Sequence, residues 1–204
     1  MTRILLARHG ATSWSGSNAR YCGATDLPLN DAGRQQAAAL ARRLEDEPLA
    51  AVIATDLVRT QETARPIAEN HGLEVGIVRE LRELHYGEWE GLTWAEIEDR
   101  FPDAVREREQ DIVRVPVPGG ESLRQLLDRA LPAFLALAER FDHQQIAVIG
   151  HNTSNRVLLC HLLDMPVAHY RRIVQTPAGM NVIEVEGDRV CVVAINECCH
   201  LRGW

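Results

Sequence analysis

Three short, nearly unbroken apolar runs, Ile4–Ala7, Leu49–Ala54 and Gln145–Ile149, constrain this chain more than any other feature. A strand that faces solvent on one side alternates polar and apolar residues. A continuous run therefore predicts a strand buried on both faces, as in a parallel sheet covered by helices. The intervening stretches supply those helices. Asn30 or Asp31 is placed to cap a helix over Arg34–Leu44, whose Ala37, Leu40, Ala41 and Leu44 form an apolar stripe. Asp56 is placed to cap a second over Leu57–Asn70, followed by a third strand over Glu74–Val78. Helices are also predicted over Glu121–Phe141 and Ser154–Leu163.

Near the C-terminus, Asn181–Glu186 and Arg189–Ile195 are joined by Gly187-Asp188, a hairpin signal. The pattern predicts an α/β fold, a three-layer αβα sandwich whose central sheet is largely parallel with an antiparallel edge strand. The 204 residues, 46% of them hydrophobic, suit one domain. Residues 83–120, with Pro102, Pro116 and Pro118 and one short helix near Thr93–Arg100, read as an irregular cap inserted into it.

Charge and composition narrow the function. Twenty-two Lys+Arg against 29 Asp+Glu give a net charge of −7, which opposes binding to phosphate polymers. Nucleic acid is therefore not an expected partner. No apolar run is long enough to span a membrane, and the apolar N-terminal stretch is too short for a signal peptide, so a cytoplasmic protein is expected. Five cysteines (Cys22, Cys160, Cys191, Cys198, Cys199) have no framework spacing and read as reduced thiols. Cys191, Cys198, Cys199 and His200 read as a strand ending in the core rather than a metal site.

Ligands of open α/β sheets bind beyond the carboxyl ends of the strands. The first run is followed by Arg8-His9-Gly10, the second by Thr55-Asp56-Leu57-Val58-Arg59, and the third by Gly150-His151-Asn152. Two histidines and two arginines thus converge on one edge, a composition suited to a phosphate dianion. Arginine grips phosphate oxygens in pairs, Gly10 lets the backbone approach, and a neutral imidazole is a competent nucleophile. No carboxylate cluster accompanies the histidines, so a route without metal or cofactor is expected. A proton donor for the leaving group is also required, and Glu80, Glu83, Glu88 and Glu90 are all candidates on composition alone.

These residues resemble the histidine phosphatase superfamily, the phosphoglycerate-mutase-like clan, over essentially the whole chain. Arg8-His9-Gly10 with Thr12 and Trp14 is similar to its signature. Asp56-Leu57 with Arg59-Thr60, Leu81-Arg82-Glu83 with Tyr86-Gly87, Pro118-Gly119-Gly120-Glu121-Ser122 and Gly150-His151 match its later motifs. The resemblance implies that His9 becomes a phosphohistidine while Arg8, Arg59 and His151 hold the phosphoryl oxygens. It selects Glu83 as acid and base, and assigns Ser15, Cys22, Gly23, Tyr86 and Asn152 to the substrate pocket. It departs from the family at Ser15, usually Asn, and at Asn152, usually Gly.

The implied activity is hydrolysis of a small phosphorylated metabolite, with phosphoglycerate-mutase-type transfer as the alternative. A catalytically dead binding module would lack one of the five central residues, and none is missing. The C-terminal stretch resembles phosphoserine-phosphatase-like and α-ribazole-phosphatase-like members, whereas Trp14-Ser15 and Thr25–Leu29 resemble sugar-bisphosphatase relatives. For a carboxylated substrate, Arg82, Arg106, Arg108 and Arg114 are the spare cations the sequence offers. Members of the family are often homodimers.

Overall fold

The structure, a computed structural model, describes residues 1–201. Six strands form one sheet in the order β3-β2-β4-β1-β5-β6. β1 (Thr2–Arg8), β2 (Leu49–Ala54), β3 (Val75–Ile77) and β4 (Gln145–Gly150) pair in parallel. β5 (Met180–Glu186) runs antiparallel to β1, and β6 (Arg189–Glu197) antiparallel to β5. The expected mixed sheet is present, with its antiparallel pairing confined to the β1-β5-β6 side.

The unbroken apolar runs are explained by burial on both faces. Ile4 and Leu6 of β1, with Ile146 and Val148 of β4, join a cluster that includes Phe134 and Leu158. Those two belong to α5 (Leu123–Arg140) and α6 (Asn152–Leu162). The alternate residues, Leu5, Ala7, Ala147 and Ile149, face Leu40, Ala41, Ala64 and Ile67 on α1 (Asp31–Arg43) and α2 (Val58–His71). Period-two alternation thus sends each strand into two cores, which yields the αβα layering. Each large side chain buried there contributes about 1.5–3 kcal/mol.

Residues 83–120 are more regular than expected. They contain α3 (Trp94–Arg100), started by a Thr93–Glu96 capping box, and α4 (Pro102–Gln110). Pro102 opens α4 at its first turn, where a missing N–H costs nothing; it does not break structure. Leu84, Trp89, Ile97, Val105 and Val117 pack into the same cluster as Phe134, so the segment is fastened to the sheet. Two other expectations are corrected. Asp56 does not cap α2, whose N-cap Leu57 has no side-chain bond; its carboxylate goes to Arg79 and Arg82. Cys191 is exposed on β6, Cys199 donates to Glu197, and His200 bonds the Ala178 carbonyl, so that strand does not end in the core. Among the described residues no three His, Cys, Asp or Glu side chains gather into a metal-holding group. Nor is any helix among them long and apolar enough to cross a membrane.

The start of α1 lashes down the loop after β1. Asn30 accepts from the Gly33 N–H at 2.8 Å and donates to the Thr12 carbonyl at 2.9 Å. Gly33 packs its bare Cα against the Ala11 backbone, where a Cβ would overlap the Ala11 carbonyl oxygen. Gly33→Ala is therefore expected to destabilise the fold by about 1–3 kcal/mol, despite alanine's better helix propensity. Urea denaturation measures this, and an unchanged or raised midpoint would contradict the packing account.

Candidate active site

In-register pairing brings three strand ends level. Arg8 lies opposite Gly150, and Ala54 of β2 and Ala7 of β1 both lie opposite Ile149. The His9 N–H then donates to the Gly150 carbonyl at 3.0 Å, carrying the ladder one residue past the strand. His9 and His151 meet edge to face, with ring centroids 5.3 Å apart.

Hydrogen bonds fix the tautomers of both rings. His9 Nδ1 lies 2.7 Å from the Gly10 carbonyl, which only accepts, so Nδ1 carries the proton and Nε2 keeps its lone pair. The Thr60 hydroxyl donates to the carbonyls of Thr55 and Leu57, at 3.0 and 2.8 Å. Its oxygen is then left to accept from the Thr55 hydroxyl at 2.9 Å. Thr55 Oγ1 must in turn accept from His151 Nε2 at 3.0 Å. His151 Nδ1 is left buried without a partner among the described residues.

Positive charge surrounds these rings. Arg59, fully buried, donates to the carbonyls of Gly23 and Thr25 at 2.7 and 2.8 Å. Arg8 donates to the Gln175 carbonyl at 2.7 Å. The Nε of each guanidinium is buried and unpartnered among the described residues. Burial, reinforced by Arg59 and Arg8, holds His9 well below the usual imidazole range. Burial and Arg59 do the same to His151. Burial also draws Arg8 down to about 10, against the opposing pull of Glu83.

Glu83 closes the cavity from the side of α6. Its Oε1 accepts from the N–H groups of Leu84, Thr153 and Ser154 at 2.8–3.1 Å, whereas Oε2 accepts, among the described residues, only from Thr153, at 2.9 Å. The carboxylate thus sits on the positive end of α6. Arg129 of α5 fixes the segment behind it, donating to the carbonyls of Glu80, Arg82 and Glu83 and pairing with Glu121. Of the other acids weighed from the sequence, Glu90 accepts from the backbone of Gly23 and Ala24.

A cavity of about 480 Å³ opens above this floor, lined by Arg8, His9, Ser15, Cys22, Glu83, Tyr86 and Asn152 among others. Arg59 and His151 lie beneath it, fully covered. Ser15 accepts from the Thr12 N–H at 3.0 Å and so ties its own loop. Tyr86, pushed well above its ordinary range by burial, shares a hydrogen bond with Thr153 at 2.7 Å. Cys22 is raised to about 11 by burial and stays a thiol. Gly23 does not line this cavity: its N–H goes to Glu90 and its carbonyl to Arg59.

The four cations offered for a carboxylate lie elsewhere. Arg82 pairs with Asp56, Arg106 with Asp103 and Arg114 with Asp111; Arg108 reaches the Val115 carbonyl beneath Trp89. Arg156 and Arg171 line the cavity instead. Neither was singled out from the sequence. Arg156 was findable, because it stands one helical turn after Asn152 and so shares its face of α6; Arg171 carried no such signal.

Neutral burial of both rings has a thermodynamic consequence. In the unfolded chain each imidazole gains a proton as pH falls through about 6.5, whereas in the fold neither does. The unfolded state then binds more protons, so stability falls with falling pH below that point. Each ring contributes a loss of up to about 1.4 kcal/mol per pH unit. Urea unfolding between pH 6.5 and 5 should show His151→Gln losing stability less steeply than the parent; parallel slopes would contradict neutral burial.

Known proteins resemble this chain over nearly its whole length. Residues 4–198 match the family model described as histidine phosphatase superfamily, branch 1. The chain is 30% identical to phosphoserine phosphatase 1 of Hydrogenobacter thermophilus, over 98% of this chain and 95% of that one. It is 32% identical to the metal-independent phosphoserine phosphatase of Arabidopsis thaliana, over 98% and 84%. Among solved structures, Bacillus stearothermophilus YhfR superposes with a TM-score of 0.90 at 28% identity, covering 98% of this chain and all of that one. The chain belongs to the histidine phosphatase superfamily, branch 1.

Proposed function

We propose that this protein hydrolyses monoesters of phosphate through a phosphohistidine formed on His9. One observation carries the reading: two buried donors, Arg8 Nε and Arg59 Nε, lack partners among the described residues beside an imidazole whose tautomer leaves Nε2 unprotonated, and the buried Nδ1 of His151 stands unpartnered with them. A phosphoryl group at that point supplies the acceptors that these donors want.

The steps follow from the side chains. His9 Nε2 donates its lone pair to phosphorus while the bond from phosphorus to the ester oxygen breaks. The Gly10 carbonyl steadies the ring as it gains positive character. Arg8 and Arg59 neutralise the phosphoryl oxygens in a site shielded from water, and His151, neutral in the free site, joins them by taking up at Nδ1 the proton of a monoanionic phosphate group. Glu83 passes a proton to the leaving oxygen from Oε2, the oxygen with a single backbone partner. As a carboxylate it then takes a proton from water, whose oxygen attacks phosphorus and breaks the bond to His9. The substrate is a small phosphorylated metabolite, in keeping with the size of the cavity. Five unpaired thiols support a reducing, cytoplasmic setting.

The test is the response of Glu83→Gln to leaving-group quality. A missing general acid should cost about 10²–10⁴-fold in kcat/KM for alkyl phosphates. For p-nitrophenyl phosphate, whose leaving group scarcely needs a proton, the loss should stay below about tenfold. An equal loss across the series would contradict the role given to Glu83.

A further inference from the structure

The cavity extends outward from His9 to Arg156 and Arg171, past Tyr21, Trp94 and Tyr170. The two cations there differ from Arg20, which lines the same cavity and pairs with Glu96. The chain has seven more acids than bases, and several arginines around the site have taken one up: Arg20 pairs with Glu96, Arg79 and Arg82 with Asp56, and Arg129 with Glu121. Neither Arg156 nor Arg171 has a carboxylate partner among the described residues. Arg156 Nε is buried and unpartnered among them.

Arg171 is held without being neutralised. Its guanidinium lies over the rings of Trp94 and Tyr170, 5.7 Å from each centroid, and its Nε donates to the Tyr170 hydroxyl at 3.1 Å. Those contacts orient the plane of the fork and leave both terminal nitrogens without a partner among the described residues. A planar fork pre-oriented in this way matches a carboxylate, which takes two parallel N–H bonds. The charge count points the same way. Arg8 and Arg59 already balance the two charges of a phosphate dianion, so two further cations exceed what it needs. Glu83, the one acid lining the cavity among the described residues, is committed to the amides of α6.

We propose that Arg156 and Arg171 form a second anion subsite, which takes a carboxylate on the leaving-group side of the substrate. The inference rests on the phosphohydrolase reading and adds to it the feature that selects among monoesters. Arg171 is the specificity-determining residue and acts on binding of the leaving group, not on transfer of the phosphoryl group.

The experiment uses substrates that differ in the carboxylate alone. L-phosphoserine and O-phosphoethanolamine are one such pair, and p-nitrophenyl phosphate is the reference. Wild-type protein should prefer phosphoserine by about tenfold or more in kcat/KM, the scale of a charge-assisted pair. Arg171→Gln should erase that preference through KM, with kcat little changed and with the loss confined to the carboxylated member. Arg171→Lys should restore part of it, since charge returns without the fork. Arg156→Gln should likewise lose more for phosphoserine than for phosphoethanolamine.

Turnover of p-nitrophenyl phosphate without a wild-type preference for the carboxylated member would overturn the subsite and leave the hydrolase reading standing. Equal losses for both members in Arg171→Gln would overturn it too, by assigning that arginine to the phosphate or to the fold. If no monoester is hydrolysed, p-nitrophenyl phosphate included, the hydrolase reading fails and the subsite with it.

Discussion

An uncharged imidazole inside a shell of permanent positive charge is the condition on which the rest of this site depends. His9 is 7% exposed, tied at Nδ1 to the Gly10 carbonyl, and flanked by Arg8 and Arg59. Water would let that ring titrate near neutrality; here desolvation and the two guanidinium groups both oppose protonation. The same arrangement leaves buried donors without acceptors, a costly state unless an anion relieves it. The proposed nucleophile and its binding site are therefore two aspects of one electrostatic arrangement, and a phosphoryl group would answer both.

The fold supplies that condition through backbone geometry. Parallel pairing levels the ends of β1, β2 and β4, and the residues that follow each strand meet at one place. The second support is the carboxylate of Glu83, gripped from opposite sides. The amides of α6 hold its oxygens, while Arg129 on α5 clasps the carbonyls of the segment that bears it. α5 and α6 pack on the same face of the sheet, so the position of Glu83, the proposed proton donor, is set by two elements of the core.

Much of this was legible in the sequence, for a physical reason. A strand buried on both faces leaves an unbroken apolar run, and residues just past such runs fall at a predictable edge; this located Arg8, His9, Arg59 and His151. Elements whose meaning depends on distant partners were less readable. Asp56 has the side chain of a helix cap, but Arg79 and Arg82 arrive from a later segment and take its carboxylate. Pro102 lies in a stretch that reads as irregular until its place at the first turn of α4 is seen. The Thr55–Thr60 link to His151 and the stacking of Arg171 on Trp94 join residues whose side chains carry no local signal of it. Gly23 illustrates the reverse: its motif suggested the pocket, yet its backbone supports Arg59 from behind.

The account stands on covalent transfer to one nitrogen. Rapid quenching of the protein with a ³²P-labelled monoester, followed by peptide mapping, tests this most directly. The predicted result is a labelled adduct on His9, stable in base and lost in acid, and absent from His9→Ala, which should fold but not turn over. A His9→Ala protein that still hydrolyses the substrate, or label found on another residue during steady turnover, would contradict it.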